Sequence, residues 1–547
     1  MAKLARPEHD LAERTVGQIL TRNAERFGEK ILVQSTTGEA LSYRDLDEIS
    51  NRMAHGVAAL GIEHQEPVIA MLPDCLDFVR IWAGLAKRGA IEVPVNLAYR
   101  GRSLSHIFND ATAKIAIVDR CFLDRLEDIA DDLQHLERLV LYSEDPRERE
   151  KLDLPPKLAA RCTAVRFADL FAQDATPFEP GPRFSDLHAI AYTSGTTGAS
   201  KGVMTTHAHA YVYAQGGAAM HKLGPEDRFY SPGLPLFHIA AKFAVVYGSM
   251  ICGATAVLRQ GYKNEYFWAD IAKYECTVTF LLGAVANFLW QQPETDDDAK
   301  NSLERVGMVP LIAEYEGFAK RFGLQLTTGY ASSESAMPTV IVAGDPMISS
   351  RCIGPVRDEY EVAIFDEHDR GLPVGEMGEI CVRPAETWSL MQGYWKRPEA
   401  TAKAFRNLWY HTGDAGYRGE DGCIYFVDRL TDSMRRRGEN ISSMEVEGDI
   451  NQHPEVLECA VFPVWDENTE QEVMAVITPK PGSEIDPAEL IRFLNRLMPY
   501  FMIPRYIEFT EALPKTPTGK IQKFSLRERG VTADTWDRVA AGVALER

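Results

Sequence analysis

The stretch TSGTTGASKG, residues 193–202, combines glycines with hydroxyl side chains and one lysine, and it follows the apolar segment 186–192. Glycine lets backbone N–H groups turn toward an anion, and hydroxyls add donors without bulk. The stretch therefore predicts a phosphate-binding loop. It is not a Walker A loop, because that motif needs glycine at Ser200 and a hydroxyl at Gly202. A flexible surface loop is the alternative that this composition allows.

The composition, net charge and cysteine spacing of the chain argue against several classes of protein. The chain has 547 residues, 45% of them hydrophobic, and a formal net charge of −20. This charge argues against a general nucleic-acid binder but leaves room for a local anion site. Nine cysteines occur without a Cys-x-x-Cys pair, so the spacing indicates neither a zinc site nor a disulfide framework, and a cytoplasmic protein is expected. Segment 239–258 is apolar but contains Lys242, which favours a buried core element over a membrane span.

Alternating strand and helix patterns predict an α/β fold with a parallel-rich sheet for the N-terminal part of the chain. Segments 67–72 and 90–95 have strand patterns, a helical run through residues 78–85 lies between them, and Ser42 is an expected helix N-cap.

A small β-rich lobe and a separate C-terminal domain are predicted after Gly354. Segments 360–365 and 378–383 alternate with period two, which is typical of half-buried strands. The predicted domains are a large N-terminal domain, residues 1–430, and a small α+β domain, residues 431–547.

Three stretches carry groups suited to a nucleotide. In TGYASSE, residues 328–334, hydroxyls can hold a phosphate on a turn while Glu334 binds Mg²⁺, and a plain surface turn is the alternative. Asp414, in YHTGD, can accept both hydroxyls of a ribose or be an ordinary turn residue. Arg429 ends a strand pattern at the expected domain boundary, where it can pair with a nucleotide or form a structural salt bridge.

Two further stretches are cationic. Arg435, Arg436 and Arg437 precede a glycine and suit a phosphorylated ligand against the acidic background, although a solvated charged face is the alternative. Lys520 ends the Pro- and Gly-containing stretch PKTPTGK. There it can neutralise charge on a carboxylate that attacks a phosphate, or be merely an exposed lysine.

Together these stretches resemble the adenylate-forming superfamily, in its order and spacing, over essentially the whole chain. This superfamily contains acyl-CoA synthetases, adenylation domains of peptide synthetases, and luciferases. The chain looks most like the carnitine/crotonobetaine-CoA ligase branch, on IGPV at 353–356, YFVDR at 425–429 and GENISS at 438–443. The resemblance implies an AMP-forming acid–CoA ligase that uses ATP, Mg²⁺ and coenzyme A and forms an acyl-adenylate.

The resemblance also implies roles for single residues. The implied catalytic residues are Thr196, Lys201, Glu334 (also the metal ligand) and Lys520. The implied ATP-binding residues are Thr193, Ser194, Gly195, Thr196, Thr197, Gly198, Lys201, Gly329, Tyr330, Ala331, Ser332, Ser333, Asp414, Arg429 and Lys520. The expected coenzyme A contacts are Arg435, Arg436, Arg437, Gly438 and Glu439. The resemblance also implies that the small C-terminal domain is mobile. Thr431 occupies the position of its hinge, where the family usually has Asp or Lys.

The acyl site is expected at His238, Lys242, Gly283 and Tyr330. Lys242 lies four residues after His238, where it would disfavour a cationic acid and favour a polar or second anionic group, while Gly283 leaves room for a ring. The alternatives are a solvent-facing Lys242 and a hydrogen-bonded core role for His238.

Three other functions stay open at this point. They are transfer of the acyl group to a carrier protein, luciferase-like oxygenation, and nucleotide sensing without catalysis. The expected partners are a small carboxylic acid, ATP and coenzyme A, without nucleic acid or a membrane segment, and a homodimer is left open.

Overall fold

The computed structural model describes residues 9–172, 174–193, 200–430, 434–436, 439–465, 471–515 and 521–545. Internal contacts divide the chain into two compact units, and each is described by itself. Unit 1 comprises the described residues of 1–195, 199–362 and 382–410, and unit 2 those of 363–381 and 411–547. The predicted domain boundary at residues 430 and 431 stays a prediction, and the predicted hinge residue Thr431 lies outside the described residues.

The α-helices are α1 (Val16–Phe27), α2 (Tyr43–Ala59), α3 (Leu76–Arg88), α4 (Gly101–Ala111), α5 (Leu123–Asp128), α6 (Pro156–Arg161), α7 (His207–His221), α8 (Gly248–Cys252), α9 (Phe267–Lys273), α10 (Gly283–Trp290), α11 (Tyr315–Phe322), α12 (Pro398–Ala404), α13 (Ser443–Ile450), α14 (Pro487–Leu494) and α15 (Lys523–Arg529). A π-helix spans Ala240–Tyr247. Short 3₁₀ turns occur at Leu11–Glu13, Arg120–Phe122, Ala130–Asp132, Phe167–Leu170, Asn264–Tyr266 and Arg406–Leu408.

The strands are β1 (Ile31–Ser35), β2 (Ala40–Ser42), β3 (Pro67–Met71), β4 (Ile91–Pro94), β5 (Ile115–Asp119), β6 (Arg138–Tyr142), β7 (Thr163–Arg166), β8 (Leu187–Thr193), β9 (Lys201–Thr206), β10 (Arg228–Ser231), β11 (Thr255–Leu258), β12 (Val278–Leu282), β13 (Arg305–Val309), β14 (Gln325–Ser332), β15 (Ala336–Ile341), β16 (Cys352–Gly354), β17 (Tyr360–Phe365), β18 (Gly378–Pro384), β19 (Tyr410–Arg418), β20 (Ile424–Arg429), β21 (Met434–Arg436), β22 (Glu439–Ile441), β23 (Val456–Trp465), β24 (Gln471–Pro479), β25 (Tyr506–Phe509) and β26 (Trp536–Asp537).

Two mostly parallel sheets form unit 1. The first has the order β7-β6-β5-β3-β4-β8-β9 and is parallel except for the last pair, β8 and β9. The second has the order β15-β14-β13-β12-β10-β11-β1-β2 and is antiparallel only at its two edges. The predicted α/β class with parallel-rich sheets is confirmed.

Local signals in the sequence agree with the first elements of unit 1. The side chain of Ser42 accepts from the backbone N–H of Asp45, whose carboxylate accepts from Ser42 N–H, so α2 begins with a capping box. Leu46 and Met53 on this helix are buried. The strands and the helix predicted over residues 67–95 correspond to β3, α3 and β4.

Helix α7 contacts strands of both sheets, β8 and β9 of the first and β13 to β15 of the second. Nearly all of its side chains are therefore buried, as expected for a helix that is covered on every side. The predicted core segment 239–258 forms the π-helix, α8 and β11. Among the described residues, no helix combines the length and apolar character that crossing a membrane requires.

Unit 2 contains two larger sheets. Parts of β17 and β18 form a sheet with β19 and β20, in the order β20-β19-β18-β17. This sheet is the β-rich lobe that the sequence predicted. The second sheet, β23-β24-β25-β26, packs with α13 and α14 around a core that includes Val461, Ile477 and Leu490. Strands β21 and β22 form a separate antiparallel pair.

Buried histidines make unit 1 sensitive to acid. Burial lowers the pKa of His207, His209 and His221 to about 3. At His221 the positive charge of Arg305 contributes to the lower pKa. The folded state therefore keeps these rings neutral, while the unfolded chain protonates them below pH 6.5. Since the unfolded state binds more protons, stability falls as the pH drops below 6.5.

We expect each of these histidines to cost about 1 kcal/mol of unfolding free energy between pH 6.5 and pH 5.5. His209→Gln should remove about that share of the pH-dependent loss of stability, because burial alone lowers the pKa of the His209 ring. Urea unfolding at the two pH values measures the difference. The control is His368→Gln at an exposed histidine; equal pH dependence in wild type and both variants would contradict the prediction.

Candidate functional site

The described ends of the glycine-rich loop belong to an antiparallel hairpin. β8 ends at Thr193, β9 begins at Lys201, and the two residues are register partners. The loop therefore leads into a strand and not into a helix, as its lack of Walker A spacing indicated. The predicted phosphate contacts stay predictions for the residues that lie outside the described ones, which are Ser194, Gly195, Thr196, Thr197 and Gly198.

Ser200, which precedes β9, is contacted by His106 on α4 and by Tyr99 in the connection before α4. The ring Nε2 of His106 on α4 lies 3.0 Å from its carbonyl oxygen, and the Tyr99 hydroxyl lies 3.4 Å from its Oγ. These contacts hold Ser200 at the C-terminal end of the loop. The adenylate-forming superfamily usually has proline at this position.

Lys201 and Glu334 are joined through one tyrosine. The Lys201 ammonium lies 5.0 Å from the centre of the Tyr394 ring, within the range of a cation–π contact. The Tyr394 hydroxyl donates to Glu334 Oε1 at 3.2 Å, and the Glu334 carbonyl accepts from Met391 N–H at 2.9 Å. The structure thus brings together the predicted phosphate lysine and the predicted metal ligand.

Sequence reasoning missed Tyr394, which is positioned by backbone pairing along β9. Residues 392–395 form three hydrogen bonds with β9: Met204 N–H to the Gly393 carbonyl, Gln392 N–H to Met204 and Trp395 N–H to Gly202. Gly393 has φ +132°, and a Cβ there would lie 2.7 Å from the Thr401 side chain, so this close turn needs glycine. The Gly-Tyr-Trp triplet was the available signal.

A second tyrosine, Tyr410, also lies near the Glu334 carboxylate. Burial raises the pKa of Tyr394 and of Tyr410, and the negative charge of Glu334 raises both further. Tyr330 adds to the shift of Tyr410. Both hydroxyls therefore stay protonated and available as hydrogen-bond donors at neutral pH.

The predicted turn around Tyr330 is a strand end followed by a hairpin. Gly329 and Tyr330 pair with Val340 and Thr339 on β15, and a Cβ at Gly329 would lie 2.6 Å from the Thr339 carbonyl oxygen. β14 continues through Ala331 to Ser332, whose Oγ accepts from Ser335 N–H at 3.0 Å. Strand pairing overrides the turn signal of these small residues. Ser333 and Glu334 lie in the connecting turn.

The predicted acyl residues His238 and Gly283 both lie in unit 1, at the start of helical segments. His238 is partly exposed just before the π-helix, and its Nδ1 accepts from Ala240 N–H at 3.1 Å. Gly283 begins α10, and a Cβ there would lie 3.0 Å from the Pro310 carbonyl oxygen. A larger residue at 283 would therefore crowd the backbone of Pro310.

Lys242 is buried, so the alternative of a solvent-facing side chain is wrong. It is 4% exposed, and its ammonium donates to Glu92 at 2.5 Å on the fully buried strand β4. It also lies 4.3 Å from the centre of the Phe78 ring. Because Glu92 already neutralises this lysine, Lys242 gives no reason to disfavour a cationic acid.

In unit 2, Asp414 and Arg429 are register partners on β19 and β20, and Arg429 Nε lies 3.5 Å from Asp414 Oδ1. Arg429 ends β20 as predicted. Asp414 lies inside β19, which continues to Arg418, so the alternative of an ordinary turn residue is wrong. Glu379 accepts from Gly413 N–H at 3.0 Å, and Asp414 N–H donates to Thr412 Oγ1 at 3.1 Å, so a local network orients Asp414.

The remaining predicted residues of unit 2 are described in part. Strands β21 and β22 pair Arg436 with Glu439, while the side chains of Arg435, Arg436 and Glu439 and all of Arg437 and Gly438 lie outside the described residues. The same holds for Lys520. The described ends of its loop are joined, since Lys515 bridges to Ile521 and Gln522 N–H donates to the Pro514 carbonyl.

Two family models match the chain. The AMP-binding enzyme model matches residues 20–395, and the AMP-binding enzyme C-terminal domain model matches residues 445–520. The chain belongs to the AMP-binding enzyme family. It is 32% identical to crotonobetaine/carnitine–CoA ligases of Salmonella paratyphi A and of Citrobacter koseri, in each case over 92% of this chain and 97% of the relative. The resemblance to the adenylate-forming superfamily and to this branch is confirmed.

Solved structures of the AMP-binding enzyme family share the fold. An anthranilate CoA ligase in complex with anthranoyl-AMP has a TM-score of 0.81 and 25% identity, covering 98% of this chain and 99% of that one. ATP-bound MatB from Rhodopseudomonas palustris also has a TM-score of 0.81, at 24% identity, covering 94% and 99%. With the CoA ligases above, these matches assign the chain to the AMP-forming acid–thiol ligases.

We expect Tyr394→Phe to slow ATP–pyrophosphate exchange about tenfold, because the Glu334 carboxylate loses the hydroxyl that orients it and a hydrogen bond to a charged group is worth about 1.5–3 kcal/mol. Tyr315→Phe is the matched control, since its hydroxyl also donates to a glutamate at 3.2 Å, on α11. Exchange should stay at the wild-type rate in the control. Equal rates in both variants would contradict a role for Tyr394.

We expect Lys242→Met to destabilise the protein by about 3–5 kcal/mol, because it leaves the Glu92 carboxylate buried without its partner. The double variant Glu92→Gln/Lys242→Met should recover most of that loss. Urea unfolding measures both. Lys300→Met breaks the exposed pair with Asp297 and should change stability by less than about 1 kcal/mol; a similar loss in both single variants would argue against the buried pair.

Proposed function

We propose that this enzyme joins a small carboxylic acid to coenzyme A at the expense of ATP. In the first step the carboxylate attacks the α-phosphate, giving an acyl-adenylate and pyrophosphate. In the second step the thiol of coenzyme A displaces AMP. The observation that carries the proposal is the Lys201–Tyr394–Glu334 cluster at the end of the phosphate-loop hairpin.

Charge neutralisation is the main requirement of the first step, because both reactants are anions. Lys201 starts β9 beside the loop, and its contact with the Tyr394 ring restrains the ammonium without neutralising it. Loop donors, including Thr196, would contact the phosphates. Lys520 would neutralise the charge that develops as the carboxylate attacks.

Glu334 fits Mg²⁺ by the chemistry of its surroundings. Mg²⁺ prefers oxygen ligands and is commonly held by one or two carboxylates together with substrate phosphates. Tyr394 orients the Glu334 carboxylate as a donor and leaves its charge intact. A bound Mg²⁺ would supply positive charge to the phosphates and the departing pyrophosphate.

The remaining roles follow the family resemblance. Asp414 would accept the ribose hydroxyls, with Arg429 beside it, while Arg435, Arg436 and Arg437 would bind a phosphate of coenzyme A. Rotation of the C-terminal domain about Thr431 would withdraw Lys520 after the first step. A cytoplasmic location is also proposed, since the nine cysteines, all among the described residues, form no disulfide.

The acid belongs to one of several classes. The curated relatives are named for crotonobetaine and carnitine, and one structural neighbour is named for anthranilate. The neutralised Lys242 makes a betaine-type acid compatible with the site. A small Gly283 remains compatible with a ring.

ATP–pyrophosphate exchange across short, aromatic, alicyclic, dicarboxylic and betaine-type acids tests the proposal. We expect exchange with one class, and loss of at least about 100-fold in Lys520→Ala and Glu334→Gln, because each removes transition-state charge stabilisation. Lys300→Ala, at an exposed lysine, is the control. Adding coenzyme A should then give acyl-CoA and AMP. Adenylate formation without thiol transfer would contradict the second step, and exchange that persists in Lys520→Ala would contradict the first.

A further inference from the structure

Three side chains with metal-binding donors meet in unit 2. Glu379 and Cys381 are two residues apart on β18, so they face the same side of the sheet, and His411 lies on the neighbouring strand β19. Their donor atoms all lie within 4.8 Å of one another. His411 Nδ1 is 2.8 Å from Glu379 Oε2 and 3.2 Å from Cys381 Sγ.

The cluster is largely withdrawn from water. Cys381 is fully buried, the His411 side chain is 2% exposed and the Glu379 side chain 11%. The donors are one sulfur, one nitrogen and one oxygen. This set matches Zn²⁺, whose protein ligands are thiolate, imidazole and carboxylate, whereas Mg²⁺ and Ca²⁺ prefer oxygen alone.

The two donor distances at His411 are close to those of a tetrahedral zinc site. At usual bond lengths, nitrogen and oxygen ligands stand about 3.3 Å apart and nitrogen and sulfur ligands about 3.6 Å apart. The two distances at His411 would therefore lengthen by about half an ångström. Small rotations of the Glu379 and Cys381 side chains would provide these two movements.

Asp369 supplies the second contact that metal-bound histidines usually have. Its Oδ1 lies 3.8 Å from His411 Nε2. That nitrogen is buried and has no hydrogen-bond partner among the described residues. With a metal on Nδ1, the neutral ring carries its proton on Nε2, and a carboxylate on that side fixes the ring orientation.

We propose that Glu379, Cys381 and His411 bind one Zn²⁺ ion, with Asp369 as a positioning residue. Binding releases the thiol proton of Cys381 to solvent and crosslinks β18 to β19. Glu379 Oε1 also accepts from Gly413 N–H, directly before Asp414. The ion would therefore stiffen the strand that carries the proposed ribose-binding carboxylate.

Cobalt titration of the full chain tests the site, because a thiolate ligand gives Co²⁺ a sulfur-to-metal charge-transfer absorption in the near ultraviolet. The background is Cys121→Ser, which removes the exposed cysteine. We expect saturation at one equivalent, displacement by Zn²⁺, and loss of the band in Cys381→Ala. Asp369→Asn should keep the band but weaken binding about 10–100-fold.

The matched control is Cys423→Ala, at a cysteine that is equally buried near the start of β20. It should keep the band. A missing band at one equivalent, or a band that survives in Cys381→Ala, would overturn the proposal. If Cys381→Ala does not fold, two other measurements test the site. They are the cobalt band of His411→Gln and the Zn²⁺-dependent rise in the melting temperature of the Cys121→Ser protein. A band retained in His411→Gln, or no rise in the melting temperature, also overturns the proposal.

Discussion

The proposed chemistry depends on keeping a lysine and a glutamate close to the expected phosphate site without letting them neutralise each other. A direct Lys201–Glu334 ion pair would cancel the charges that ATP and Mg²⁺ require. The Tyr394 side chain lies against both groups, with its ring toward the ammonium and its hydroxyl toward the carboxylate. Pairing of residues 392–395 with β9 holds that tyrosine in place, so the hairpin that carries the expected phosphate loop also positions the proposed metal ligand.

The core of unit 1 contains buried histidines that are neutral and a buried lysine that is paired with an opposite charge. Helix α7 contacts both sheets, and its histidines are buried in their neutral form. Lys242 reaches Glu92 in the same unit, where each charge is acceptable only because the other is present. The π-helix that carries Lys242 begins two residues after His238, and because Lys242 is paired with Glu92 it would not face an acid at the expected acyl site as a free cation.

Unit 2 uses one carboxylate for two purposes. Glu379 accepts from Gly413 through one oxygen and contacts His411 through the other. The orientation of Asp414 therefore depends on the same side chain that completes the sulfur–nitrogen–oxygen cluster. A change in that cluster would reach the proposed ribose site through a short stretch of one strand.

The sequence by itself determined the α/β class, the individual strands and helices around Ser42 and residues 67–95, and the family, because these depend on local periodicity, capping and motif order. It also indicated Lys201 and Glu334, which lie in recognisable motifs. Only the tertiary structure decided the partner of Lys242, the position of Asp414 inside a strand, and the contacts of Tyr394 and His411. Glu92 is 150 residues from Lys242, and Tyr394 is 60 residues from Glu334. Contacts over such separations come from sheet order and strand pairing, which leave no period or spacing in the sequence.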